Sequence, residues 1–303
     1  MAMPKYLPGP PDLRVLLPSW QINLTSENKS PTTITSYIRG VRLYIEWCEG
    51  NGHPVELTRG QIQQYAAELI AEGKEANTVR LRLAALRQFA RWMVSEDELT
   101  DDPLIGLKPP KIPAKVVEAL TDAQVKAMLN ACRGRDFRER RDEALIRLMA
   151  ETGLRASEVV ALRLADVDLP SGLVVVHRGE SMKGRIAPFS PQCAAALDRY
   201  IRARRSHRHA TAAALWLGAR GPLGYFGLND TLRDRAKHAG IEGFHLHLLR
   251  NTAATRWLRA GGSAQGLMAV AGWSTRSMID RYTGASASER AAAESRGLGL
   301  GEL

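Results

Sequence analysis

The sequence predicts a mainly α-helical chain in two domains, with a small antiparallel β-sheet confined to the second. Apolar residues recur at three- and four-residue steps through most of the chain, which is the helical period. Only residues 173–177 (LVVVH) and 185–188 (RIAP) read as β-rich runs, and the turn-prone RGESMKG between them makes a hairpin. Between the two halves, Pro109, Pro110 and Pro113 forbid a regular helix.

The first domain spans 12–99 and follows a Pro-rich arm, 1–11, that carries Pro4, Pro8, Pro10 and Pro11. Ser30-Pro31 is a helix start, a capping hydroxyl followed by the one residue that loses nothing by lacking an N–H. Ile34, Tyr37, Val41, Tyr44 and Cys48 mark the inward face of that helix, and Gly50-Asn51-Gly52 stops it. Another helix follows Thr58, with Ile62, Tyr65, Ala66 and Leu69 inward and Gly73 at its end. A long helix over about 77–94 buries Val79, Leu83, Leu86, Ala90 and Met93. On a different stripe of it stand Arg80, Arg87 and Arg91, with no acidic residue between Glu75 and Glu96. Such arginines commonly form a solvated face. In a domain of near-zero net charge they also place the positive charge on one side, where they are expected to bind DNA phosphates and fix position, not sequence.

Residues 100–119 read as a linker, a strap punctuated by Lys108, Lys111 and Lys115. The second domain, 120–284, opens with a helix from Leu120-Thr121-Asp122 through Leu129. A longer one runs from about 137 to 151 and stops at Gly153. After the hairpin, helices return over 192–203, 228–239 and 247–260, and a small-residue, Ala-rich tail occupies 285–303.

The 303 residues suffice for two domains, and 45% apolar with 24% charged residues is ordinary for a globular protein. The opening stretch has no apolar targeting core and no apolar run nears membrane-spanning length, so a cytoplasmic protein with no membrane partner is expected. Cys48, Cys132 and Cys193 are odd in number and far apart. They read as small buried hydrophobes, not as a disulfide or zinc framework. The net charge is +10. Residues 1–110 hold twelve Lys/Arg against thirteen Asp/Glu, whereas 111–303 hold thirty against nineteen. That asymmetry suggests a polyanionic partner, most simply nucleic acid; a solvated basic surface is the rival reading.

Four segments carry the chemistry together, and none does so alone. In ETGLRASEVVALRLADVDL, Arg155 sits where one helix stops and another opens near Ser157, and Glu158 is three residues on, where it can steady the guanidinium. A lone R-x-x-E is ordinarily a cap. In GESMKGR, Lys183 stands near the hairpin tip, ordinarily solvent decoration. In HLHLLRNTAATRWLRAG, His247 and Arg250 are three apart, so a helix points both the same way. His245 offers a metal reading through HLH, but no Cys, Asp or second His stands nearby at ligand spacing. His207 and His209 read as surface residues of an Arg-rich stretch. In VAGWSTRSMIDRYTG, Trp273 follows Gly272 at a helix start and Tyr282 comes nine residues later. Either aromatic alone would be packing.

The order R-x-x-E, hairpin Lys, H-x-x-R, Gly-Trp and then Tyr resembles the signature of the tyrosine recombinases of the phage integrase family. TTITSYIRGVRLYIEWC and ANTVRLRLAALRQFARWM are similar to the helices of that family's SAM-like core-binding domain, and the resemblance spans roughly 12–284. Two positions depart from it. Asn251 stands where a second histidine is frequent, a change expected to be tolerated, and Trp273 stands where histidine is commoner.

The resemblance implies a two-domain DNA clamp and a site-specific recombinase that cleaves and rejoins DNA through a 3′-phosphotyrosine. Tyr282 would be the nucleophile, His247 the general base and Lys183 the general acid. Arg155 and Arg250 would clamp the phosphate oxygens, with the Trp273 N–H as a further donor. No carboxylate cluster for magnesium and no GxxxxGK[ST] loop accompany the set, so no metal, cofactor or nucleotide is expected. The implied partners are double-stranded DNA at specific core sites, with nucleoid association when bound, and three further copies of the chain in a homotetramer on two sites. The tail would dock on a neighbouring protomer. Only about eleven residues precede the first helix, far below the roughly 40 a domain needs, so short core sites without arm sites are expected. The rivals are a type IB topoisomerase-like relaxation enzyme and a non-catalytic DNA-binding accessory protein. The core-binding pattern and tail weigh against the first, the complete catalytic set against the second.

Overall fold

The computed structural model describes residues 11–110, 117–178 and 182–283. The chain divides into two compact units, Met1–Pro113 and Ala114–Leu303, each with its own hydrophobic core.

Among the described residues the first unit has four helices: α1 (Leu13–Ser26), α2 (Pro31–Gly50), α3 (Arg59–Ala71) and α4 (Ala76–Ser95). The Asp12 carboxylate caps α1, which buries Leu13, Leu17, Trp20 and Leu24 on one stripe and carries Pro18 on its exposed side. Ser30 caps α2 through Thr33 N–H with Pro31 in the first turn, and Thr58 caps α3 through Gln61 N–H. Helices α2 and α4 meet where Gly40 faces Ala85, so closely that a Cβ on Gly40 would come within 2.6 Å of the alanine methyl. Trp20 tilts onto Phe89 with ring centroids 4.9 Å apart. The segment read as a linker is anchored at its described ends. Leu104 and Leu107 are buried in the first core, and Glu118, already within the second unit, accepts from Asn251 there.

The second unit begins with α5 (Asp122–Asn130), started by a capping box between Thr121 and Gln124, and α6 (Phe137–Thr152). Next come α7 (Ala156–Ala161), β1 (Val167–Asp168), β2 (Leu173–Arg178), β3 (Met182–Pro188), α8 (Pro191–Arg204), β4 (Leu217–Gly218) and β5 (Gly221–Pro222). The chain continues through α9 (Tyr225–His238), α10 (Leu246–Arg259), α11 (Ala264–Ala271) and α12 (Ser277–Thr283). Strands β1, β2 and β3 form an antiparallel sheet in that order, and β4 with β5 forms a separate ribbon. Helix α6 packs against both α8 and α10, and its Ala144, Leu145, Ile146 and Leu148 are fully buried. All three cysteines are buried free thiols. Among the described residues no helix is long and apolar enough to cross a membrane.

Lys183 stands near the hairpin tip as expected, the residue after Met182, which pairs with Arg178 across the turn; the turn is shorter than RGESMKG and β3 already includes Lys183. Two local readings are corrected. Trp273 does not begin a helix. Gly272 is the left-handed stop of α11, which Ser263 caps at its start, and Trp273 follows that stop. His207 and His209 are half-buried, and His207 stacks on Phe137 at 4.5 Å between centroids, because a flat imidazole can cover the face of a partly buried ring.

Candidate active site

Two glycines place the arginines. Helices α6 and α11 both end in left-handed glycines, Gly153 at φ 62° and Gly272 at φ 65°, a conformation other residues adopt only with strain. Arg250, on α10, donates from Nη1 to the Gly153 carbonyl and from Nη2 to the Ala271 carbonyl at 2.9 Å. Its guanidinium is thus held between two helix C-termini, where unsatisfied carbonyls concentrate negative charge. Arg250 is 4% exposed. Burial, and after it the charge of Arg155, pushes its pKa down to about 10, which leaves it a cation at neutral pH.

Arg155 occupies the turn between Gly153 and α7. The Glu158 carboxylate reaches back to cap the Arg155 backbone N–H at 2.8 Å and accepts from its Nη1 at 3.2 Å. Arg185 on β3 holds the same carboxylate by two bonds, 2.8 and 2.7 Å, and donates from Nε to the Val270 carbonyl at 2.8 Å. Gly272 lies against this guanidinium: a Cβ there would sit 2.9 Å from Arg185 Cζ. Burial works to raise the Glu158 carboxyl. The hydrogen bonds from Arg185 and the Arg155 backbone, with both cationic charges, outweigh it and hold the group below the usual carboxylate range.

Tyr282 comes from α12. Its ring stacks on Trp273 with centroids 5.1 Å apart and planes 18° from parallel. Arg250 also neighbours that indole: its Cζ lies 5.3 Å from the ring centroid, a cation–π distance. The Tyr282 hydroxyl donates to Asn251 Oδ1 at 2.7 Å. His247 is exposed in the first turn of α10, three residues before Arg250.

The structure therefore brings Arg155, Glu158, Arg250, Trp273 and Tyr282 into one connected group. The Lys183 side chain lies outside the described residues. Arg80, Arg87 and Arg91 lie on α4 in the first unit, Arg80 and Arg91 exposed and Arg87 half-buried. Sequence reasoning missed Arg185, which nothing in RIAP distinguishes from a solvent-facing strand arginine. It also gave Asn251 no role beyond a tolerated exchange for histidine, and the side chain bonds the tyrosine directly. Among the described residues no three His, Cys, Asp or Glu side chains gather as a metal-binding set. Two guanidiniums whose charges feel one another, with an indole and a phenol stacked beside Arg250, can hold a phosphodiester and bring an oxygen nucleophile to it.

The phage integrase family model matches residues 118–289, and the model of the phage integrase N-terminal SAM-like domain matches 16–100. The chain is 31% identical to tyrosine recombinase XerD of Ralstonia nicotianae over 291 residues, covering 93% of each chain. Among solved structures it is similar to XerA recombinase, at 26% identity and TM-score 0.51, over 90% of this chain and 94% of that one. It shares its fold with a lambda integrase tetramer bound to a Holliday junction, at 15% identity and TM-score 0.68, over 89% of this chain and 76% of the other.

Proposed function

The chain belongs to the phage integrase family of tyrosine recombinases, enzymes of site-specific DNA recombination, and from that premise we propose how its residues divide the work. The Tyr282 hydroxyl oxygen attacks the scissile phosphorus. The new O–P bond makes a 3′-phosphotyrosine, and the bond to the 5′-oxygen breaks. His247 takes the phenolic proton, and Lys183 gives one to the departing 5′-oxygen. Arg155 and Arg250 hold the non-bridging oxygens, with the Trp273 Nε1–H as a neutral donor beside them. A 5′-hydroxyl from a second duplex then attacks the phosphotyrosine and releases Tyr282. The phosphodiester bond energy is kept throughout, so the reaction uses no nucleotide, and the two arginines supply the charge stabilisation that a metal would otherwise give.

The observation that carries this reading is the stack of Tyr282 on Trp273, with Arg250 5.3 Å from the same indole. It sets the phenol beside a cation held by the ends of two helices. Binding alone calls for no tyrosine at that place, which disfavours an accessory protein.

The substrate in this reading is double-stranded DNA at specific core sites in the cytoplasm, gripped by both units, with Arg80, Arg87 and Arg91 on its backbone. Four copies act on two sites, as the fold shared with a tetramer on a Holliday junction supports, and the 285–303 tail links neighbours. The test is recombination of two short core-length duplexes by purified protein in EDTA. Recombinant joints are expected. Relaxation of supercoils without joints would favour a topoisomerase, and a strict need for magnesium would contradict the arginine-based mechanism.

A further inference from the structure

Asn251 bonds at both ends of its amide. Oδ1 accepts from the Tyr282 hydroxyl at 2.7 Å, and Nδ2 donates to the Glu118 carbonyl at 2.8 Å. A primary amide has its acceptor on one side and its donors on the other. The Glu118 carbonyl can only accept, so it decides which end of the amide faces the tyrosine. Asn251 is 6% exposed, and turning the amide over would leave buried groups unmatched at about 1–3 kcal/mol each. The bridge has one stable polarity.

The next residue ties the same stretch of backbone. The Thr252 hydroxyl is fully buried, accepts from Leu120 N–H at 2.9 Å and donates to the Leu248 carbonyl at 2.8 Å. Consecutive residues of α10 thus pin 118–120, where the chain enters the second unit. Tyr282, for its part, stands on a helix of only seven residues, too short to hold its own geometry. The Trp273 stack sets the plane of the ring, and a stacked ring can still slide and turn within that plane. The bond to Asn251 settles where the oxygen lies.

We propose that Asn251 is a positioning residue for DNA cleavage: it sets the place and proton direction of the Tyr282 hydroxyl, and the Glu118 carbonyl in turn sets Asn251. The inference rests on Tyr282 being the nucleophile. An amide oxygen is too weak a base to take the phenolic proton, so Asn251 orients the hydroxyl while another group accepts the proton. The entry segment 118–120 and the nucleophile are joined through one side chain, and displacement of the first reaches the second.

The test is the single-turnover rate of covalent adduct formation on a nicked suicide duplex at saturating protein, with half-site affinity measured alongside. Asn251→Leu, similar in size and lacking both bonds, is expected to slow adduct formation by about tenfold to a hundredfold, the scale of a nucleophile misplaced by about 1 Å. Half-site affinity should stay within about threefold. Asn251→His keeps a ring nitrogen to donate to Glu118 and another to accept from the hydroxyl, and is expected to restore the rate to within about fivefold. Should the leucine variant not fold, Asn251→Ser, too short to span both partners, should show the same loss. Native-rate cleavage by a variant lacking the bridge overturns the proposal. So does a loss that Asn251→His leaves in place while binding is native, since packing would then be its cause. Tyr282→Phe in parallel separates the two claims: an adduct from it removes the nucleophile itself, whatever Asn251 does.

Discussion

Both oxygens of Glu158 accept from Arg185, at 2.8 and 2.7 Å, and one of them also accepts from Arg155 at 3.2 Å. A single carboxylate therefore steadies a proposed phosphate-binding arginine and ties strand β3 to it. Because Arg185 also donates to the Val270 carbonyl, the hairpin, α7 and the end of α11 are cross-linked at one point.

Removing Arg185 should cost both stability and rate. The Arg185 and Glu158 side chains are each 11% exposed, and stripping one partner from a buried pair typically costs about 3–5 kcal/mol. Arg185→Ala is expected to lower the denaturation midpoint accordingly and to slow cleavage more than it weakens half-site binding. An unchanged midpoint would mean that the pair contributes nothing.

The same carboxylate gives a pH dependence of known sign. The Glu158 carboxyl is held below its ordinary value of 4.5 in the folded protein, as is that of Glu143, where bonds from Arg199 and Arg147 outweigh burial. A depressed folded pKa contributes stability that is present above the ordinary value and lost as pH falls through the folded one. The thermal midpoint should therefore drop as pH falls below 4.5, and Glu158→Gln should flatten part of that slope. An acid limb as steep in the variant as in the native protein would show that Glu158 is not among its causes.

Much of this site was legible in the sequence because its key residues stand beside local stop and start signals. Gly153 ends α6 as expected, and Arg155 and Glu158 follow from the turn it makes. The helical spacing of His247 and Arg250 is likewise local. Gly272 misled because an A-G-W run reads equally as a start or a stop, and only Ser263 upstream decides between them. Helix α1 shows its stripe of Leu13, Leu17, Trp20 and Leu24, yet Pro18 within it argues against a helix until it is seen on the exposed side. Arg185 and the Asn251 bridge were illegible for a different reason. Their partners Glu158, Val270, Glu118 and Tyr282 are 27 or more positions away, and no local pattern records a long-range contact.

Lys183, on β3 two positions before Arg185, is expected to protonate the leaving 5′-oxygen. Lys183→Ala should slow cleavage of an ordinary duplex by about a hundredfold or more, within the usual range for general acid catalysis. A 5′-phosphorothiolate substrate, whose sulfur departs without a proton, should recover most of that loss. Native-rate cleavage of the ordinary duplex by the variant would reduce Lys183 to surface charge.

The α4 arginines should act on affinity alone. Each phosphate contact adds about 0.9 to the slope of log affinity against log salt, so converting Arg80, Arg87 and Arg91 together to alanine should flatten that slope by up to about 2.7. Cleavage at saturating protein should be unaffected. A slope identical to native would leave the three as a solvated face.

In this mechanism Tyr282 forms the covalent bond to DNA, and trapping on a nicked suicide duplex reads that bond itself. The native protein should become linked to the 3′-phosphate, and peptide mapping should place the link on Tyr282. Tyr282→Phe should bind the half-site with affinity within about threefold of native, because one hydroxyl adds little to an interface dominated by phosphate contacts, and should give no adduct. A covalent adduct formed by Tyr282→Phe, or a link mapped to any other residue, would contradict the account.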